Sequence, residues 1–257
     1  FIIHGKYLTE DKNDYFWQGK PIHVADKKTF VIIGNKDIYW TQWAKDKYNA
    51  YYMGEQPVPL ADYDSFHLIK DTDSDGLQGH YAADKYRVYY KDHIVEGADP
   101  ETFTEIIDWV GQDKHRVYYK WKATDIKDYN QLSHIGGFYS DGSHVYTFEF
   151  EVFEDADPLT FRQLNNNWYV DKDHVWWRKK EMKEVKEADA ATFQLVDEYA
   201  YFNGTTFWTR YAKDKNHVYF DDAVIPPDPE TFEIVRFTEG GATTIFDKNH
   251  IYQGENS

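Results

Sequence analysis

The 257-residue sequence contains no cysteine, which excludes disulfides, thiolate metal sites and cysteine nucleophiles. It has no apolar run of about 18 residues, so no membrane-spanning helix is encoded. Basic residues are in deficit: 29 Lys and Arg stand against 45 Asp and Glu, a formal net charge of −16. Nucleic acid and anionic membrane surfaces both need an excess of Lys and Arg, so the composition argues against both. Catalytic signatures are missing as well. There is no Gly-x-Ser-x-Gly elbow, phosphate loop, His-Glu-x-x-His or Gly-x-Gly-x-x-Gly. Paired carboxylates carry no information in a chain with 45 acids.

What is present is an excess of aromatics: 22 Tyr, 17 Phe and 9 Trp. They recur in a fixed pattern. Asp stands at positions 11, 46, 84, 113, 141, 171, 214 and 247, and Lys follows it everywhere except at Gly142. Five residues after each Asp comes an aromatic: Phe16, Tyr51, Tyr89, Tyr118, Tyr146, Trp176, Tyr219 and Tyr252. A second motif starts at Asp26, Asp62, Asp99, Asp125, Asp157, Asp189 and Asp228, with a ring four residues on. Thr or Ser precedes that ring in every copy but the one with Asp128.

Each motif has a physical reading. Asp-Lys-Asn-His, as at 214–217, is turn chemistry, because the Asp side chain accepts from backbone N–H groups two or three residues on. Val88-Tyr89-Tyr90 is β-branched and aromatic strand chemistry. The second motif, Asp99-Pro100-Glu101-Thr102-Phe103, starts like a helix, with Asp as N-cap and Pro at the first position. No helical period follows, so about one turn is expected, its ring entering the core before a new strand at 103–107. One unit is a strand, an Asp-Lys turn, a strand, often a second tight turn, a short strand and a capped turn. At about 30 residues it cannot bury a core alone, and neighbours must stack.

The recurring Asp-Lys-Asn-x-Val-Tyr-Tyr and Ala-Asp-Pro-x-Thr-Phe resemble the DKNYY repeat family of bacteria. The best copies are 84–106 and 214–235. The weakest is 113–132, where Asp125-Ile126-Lys127-Asp128-Tyr129 stands in for the capped form. The resemblance implies a repeat protein, often envelope-associated, and brings no catalytic residues with it.

Several stretches depart from the repeat. Gln18-Gly19-Lys20 reads as a tight turn. Residues 31–33 and 38–40 read as an extra hairpin, as does 199–208, where Asn203-Gly204 is a two-residue turn signal. Asp71, Asp73 and Asp75, followed by Gly76, have the spacing of a calcium loop, although Ala82 stands where an EF-hand needs Glu. The alternative there is a solvated acidic loop. Residues 148–157 alternate rings or aliphatics with acids and read as a two-faced strand, placing Glu149, Glu151 and Glu154 on one side. The basic run 178–186 reads as a protruding hairpin or a short helix, and the analogy with neighbouring units favours the hairpin. His144, His174, His217 and His250 occupy equivalent positions, which is a metal-binding pattern only if the array closes. The same slot holds Asp14, Asn49, Arg87 and Arg116 elsewhere, which favours an exposed turn position. The chain starts at Phe1, in the middle of a unit.

The expected fold is all-β: tandem β-meander and hairpin repeats with short capped helical turns, forming one repeat domain over 1–257 of about eight units, the last incomplete. An open twisted array is favoured over a closed propeller, because the N-terminus does not supply the strand missing from the last unit. The expected function is a non-enzymatic protein-binding protein of the bacterial cell envelope. An immunity protein that inhibits a secreted toxin is the concrete case. Its partner is expected to be basic, with Glu149, Glu151, Glu154, Asp155, Tyr201 and Trp208 in the interface. The alternative is a calcium- or glycan-binding surface protein using Asp71, Asp73 and Asp75 and exposed rings; a carboxylate hydrolase is the weakest reading. No cofactor is expected apart from that calcium ion. The expected location is the periplasm or cell surface, with a signal or lipid anchor removed, or else the cytoplasm.

Overall fold

The computed structural model describes residues 2–4, 7–33, 43–52, 57–69, 80–107, 109–196, 199–202, 205–208, 210–236 and 243–253, with the backbone alone for 199–202, 205–208, 235–236, 243 and 253. Alternating turn and strand chemistry produces eight small antiparallel sheets and one separate hairpin among these residues. The fold is all-β, with a single short 3-10 turn, Tyr129–Gln131, as the helical element among the described residues. Each sheet is one repeat and runs as a meander. In the fourth, Thr104–Ile107, Val110–Gln112, Val117–Tyr119 and Lys122–Ala123 follow one another across the sheet. The second, fifth and eighth have three strands.

The strands are two to four residues long. Strands this short cannot build one broad sheet, so the chain buries them by stacking sheet on sheet. Val88, Tyr89 and Tyr90 are consequently all buried, and so are Val117, Tyr118 and Tyr119. Alternation of inside and outside vanishes from these central strands because both faces are covered.

The tight turns follow their local chemistry. Gln18 and Gly19 both take positive φ, 49° and 80°, closing the pair Trp17↔Lys20. This is the two-residue geometry that suits the twist of a hairpin. The basic run is a hairpin, with Val175–Arg178 against Met182–Glu184. Tyr199–Phe202 pairs with Thr205–Trp208 around Asn203-Gly204 as an inserted hairpin, while Gln194–Leu195 pairs with Tyr211–Lys213 to keep the seventh sheet intact.

Val31–Ile33 pairs with Trp43–Lys45 as the first strand of the second sheet, and residues 38–40, the other arm of the expected hairpin, lie outside the described residues. This register sets Ile33 opposite the buried Trp43. Residues 148–157 are not a strand. Phe150 takes φ 61° and its N–H donates to Thr147 O at 2.9 Å, closing a turn, and Val152 then bridges back to Tyr146. Phe150 is drawn under Tyr139, 4.7 Å away and stacked. Burial of that ring overrides the alternating pattern.

The chain divides into two compact halves, Phe1–Gln131 and Leu132–Ser257. Each has its own stacked core. In the first, one cluster holds Trp43, Tyr52, Phe66 and Tyr89, and the next holds Tyr81, Tyr90, Phe103 and Tyr118. In the second, one cluster holds Trp168, Trp177, Phe193 and Tyr219, and another holds Phe138, Phe161 and Tyr169.

Candidate functional site

The repeated polar residues build one device, a latch between consecutive repeats. Asp84 shows its full form. One carboxylate oxygen, Oδ1, accepts from the N–H groups of Tyr86 at 2.7 Å and Arg87 at 2.8 Å, which fixes the turn. The other, Oδ2, accepts from the Tyr89 hydroxyl and from the N–H of Asp62, both at 2.8 Å. Asp62 begins the preceding capped turn, and its own carboxylate caps Ser65 and pairs with Lys85 Nζ at 3.1 Å. The Lys85 N–H closes the circuit on Ser65 Oγ at 3.1 Å. The motif Asp, Lys and Tyr, the cap Asp and its Ser or Thr thereby each have a place in the joint.

The same circuit joins Asp26 to Asp46, Asp99 to Asp113, Asp157 to Asp171, Asp189 to Asp214 and Asp228 to Asp247. Burial works to raise the pKa of Asp46, Asp113 and Asp214, and is outweighed by these donated hydrogen bonds, which hold each below the usual carboxylate value. Asp247 lies far below it, first because of the Asp228 N–H. The Lys114 ammonium lowers Asp99, and Asp99 in turn raises Lys114.

The ring of each capped turn lies between two sheets. Phe103 contacts Tyr81 of the third sheet at 5.0 Å and Tyr118 of the fourth at 5.6 Å. Phe193 contacts Trp168 of the sixth at 4.8 Å and Tyr219 of the seventh at 5.6 Å. A ring three residues before the motif Asp (Trp43, Tyr81, Phe138, Trp168, Tyr211) thus belongs to the repeat and was not recognised in the sequence. Nor was the small residue across from the motif Tyr. Ala44, Ala82, Gly111 and Ala212 stand there, and a Cβ added at Gly111 would come within 2.1 Å of the Phe103 ring.

The weakest motif copy needs a new register. The cap is Asp128, not Asp125: its carboxylate accepts from the Asn130 N–H at 3.0 Å and its carbonyl from the Gln131 N–H at 3.3 Å. The first strand of the fifth sheet begins at Ser133, five residues after Asp128, the interval that separates Asp99 from Thr104. At this copy Gln131 therefore replaces the Thr, Leu132 the ring, and Gly142 the Lys. Asp141 keeps its turn contacts to Ser143 and His144, and its Oδ2 accepts from Tyr146 at 2.8 Å. The boundary between the compact halves falls at this copy.

A family model described as the DKNYY family matches residues 43–180 and 168–253, most of the chain. The chain belongs to the DKNYY family. No curated protein and no solved structure matches it.

In this DKNYY chain the motif residues are committed to joints, so candidate binding residues lie between them. Glu149, Glu151, Glu154 and Asp155 are all exposed, on the turn and return segment of the fifth repeat rather than on one strand face. Exposed Phe148, 61% accessible, stands beside them. The structure brings these five residues into one short segment. The side chains of Tyr201 and Trp208, and all of Asp71, Asp73 and Asp75, lie outside the described residues.

His144, His174, His217 and His250 each approach the Asp of their own turn, at 3.8, 3.4, 3.9 and 3.8 Å respectively. No group of three or more possible metal ligands occurs among the described residues. An open cleft of about 770 Å³ borders the strand Met182–Glu184, lined by Lys183, Glu184, Lys186, Glu187, His217 and Asp222. Its Lys183 and Asp222 pair at 2.5 Å, which lowers Asp222. One buried polar pair escaped the sequence reading. Glu105, fully buried, accepts from the His80 N–H at 3.0 Å and meets its Nδ1 at 2.8 Å. No periodic signal marks this contact, since its partners are 25 residues apart.

Proposed function

We propose that this chain is a non-enzymatic, protein-binding repeat protein of the bacterial cell envelope whose partner is a basic protein. The concrete case is an immunity protein that blocks a secreted toxin. The observation that carries this reading is the division of labour among its polar residues. The repeated Asp, Lys and Thr are engaged in the joints, whereas the non-repeated acids at 149–155 are exposed around the accessible Phe148. A fixed frame with variable decoration is how repeat proteins make binding surfaces. An exposed ring framed by acids suits a basic partner, and the net charge of −16 would steer its approach.

The test is affinity capture of the tagged protein from its native source, read by mass spectrometry. One stoichiometric basic partner is expected. Charge reversal, E149K with E151K and E154K, is expected to lower its affinity about tenfold or more at low salt. Recovery of background alone, or a partner indifferent to the triple variant, would remove the proposal or its interface respectively.

A further inference from the structure

In four sheets the carbonyl just before the second strand accepts from the N–H at the end of the third. Tyr7 accepts from Gln18, Trp109 from Lys120, Asn167 from Arg178 and Arg210 from Asp221, at 2.7–2.9 Å. This backbone frame is constant and its side chains are not. In the seventh sheet Arg210 and Asp221 form an ion pair, and in the sixth the Asn167 side chain donates to the Arg178 carbonyl at 2.7 Å. The fourth sheet instead carries two indoles there, Trp109 and Trp121, which are 43% and 37% exposed. Burial does not explain them. Trp109 moreover takes φ 70°, in the left-handed region that a bulky side chain adopts only at a cost. Such backbone persists where its surroundings enforce it. Here the buried Tyr81 hydroxyl does so, 2.7 Å from the Trp109 carbonyl and 2.8 Å from that of Lys120. Both indoles are thus carried on one fixed mount.

Polar groups of both signs border them. His93, on the neighbouring third sheet, stacks on Trp121 at 4.4 Å, and Asp92 Oδ1 lies 2.7 Å from His93 Nδ1. The side chains of Asp92 and His93 are both half-exposed. Lys120 Nζ lies 5.8 Å from the centre of the Trp109 ring. A carboxylate and an ammonium beside part-open rings suit hydroxyl groups, which both donate and accept, better than an ion of one sign. The ammonium also disfavours the basic partner that the acids around Phe148 suit.

We propose that Trp109 and Trp121, with Asp92, His93 and Lys120, form a carbohydrate-binding platform. Its ligand is a neutral β-1,4-linked chain of all-equatorial pyranoses, either glucose or N-acetylglucosamine. With its substituents equatorial, such a sugar turns axial C–H groups outward on both faces and lies flat on an indole, whose face is electron-rich. Two indoles on adjoining turns provide stacking positions for two sugars. Asp92, steadied by His93, accepts from hydroxyls beside Trp121, and Lys120 donates beside Trp109. The platform is independent of the proposed protein partner: it lies within Phe1–Gln131, whereas the acids at 149–155 lie within Leu132–Ser257.

The test is titration of the full chain with cellotetraose and with chitotetraose, read by calorimetry and tryptophan fluorescence. Saturable binding of at least one is expected, with Kd of about 1 mM or tighter, and the one that binds better names the sugar. Trp109→Ala and Trp121→Ala are each expected to weaken binding about tenfold, with circular dichroism unchanged. Asp92→Ala, on an exposed turn, is expected to weaken it severalfold and keeps the test open if an indole variant misfolds. No saturable signal with either sugar at up to about 10 mM would overturn the proposal. Binding that survives all three substitutions would overturn it too, since it would arise elsewhere. Equal or tighter binding of an α-1,4-linked tetragalacturonate would show that charge, not stacking, holds the ligand, and would refute the assigned class. Capture of the basic protein partner is expected to be unaffected by Trp121→Ala; its loss would place that ring in the protein interface and overturn the separate site.

Discussion

At the scale of the residue, the protein depends on a carboxylate with two differently employed oxygens. Asp214 is 4% exposed and accepts from Asn216, His217, Asp189 and Tyr219. Asp214→Ala strands these donors and is expected to cost at least about 3 kcal/mol in urea unfolding, a large share of a typical domain's stability. Tyr219→Phe removes one donor only, and is expected to cost about 1 kcal/mol. The native Phe16 and Trp176 already do without that hydroxyl. The acid dependence follows in sign. Asp46, Asp113, Asp214 and Asp247 have folded pKa values below the ordinary aspartate value of 3.8, so their contribution is complete above that value and lost as pH falls through the folded values. Urea midpoints should hold from neutral pH to about pH 5 and decline steeply below about pH 4. At the alkaline end, burial lifts Tyr15 and Tyr90 from 10.0 to about 12. Their share of stability is complete below pH 10.0 and lost towards 12, so phenolate absorbance should rise together with unfolding.

At the scale of the element, the capped turn is a small wedge. Its backbone N–H meets one repeat's turn and its ring is gripped by two sheets. Phe193→Ala would open a cavity between Trp168 and Tyr219, with an expected cost of about 3–5 kcal/mol. Gly111→Ala tests the same wedge from below. The added methyl collides with Phe103, and a loss of about 1–3 kcal/mol is expected in the same assay. A loss below the error of the assay at either position would refute the wedge. The left-handed residues Gln18, Lys91, Lys120 and Asp221 mark the second hairpin turn of their repeats, where the twist of two short strands demands positive φ.

At the scale of the molecule, the sequence change at 125–142 coincides with the division into halves at Gln131 and Leu132. Each half contains three latches, among the described residues, and its own aromatic clusters. Calorimetry of the intact chain is therefore expected to show two transitions. A single transition with matching calorimetric and van't Hoff enthalpies would contradict this. The sequence determined the repeat, the turns, the strand class and the family, because Asp-Lys turns and Val-Tyr-Tyr strands are local chemistry repeated until the register is unmistakable. The tertiary structure alone decided what joins one repeat to the next. The cap N–H reaches a carboxylate 14 to 25 residues away, a distance set by whatever insert intervenes, so no fixed period announces it. It also decided that 148–157 turns back and that Asp128 is the cap, since burial of Phe150 and the start of the strand at Ser133 outweigh local pattern. Side-chain alternation is a weak signal in a fold whose central strands are covered on both faces.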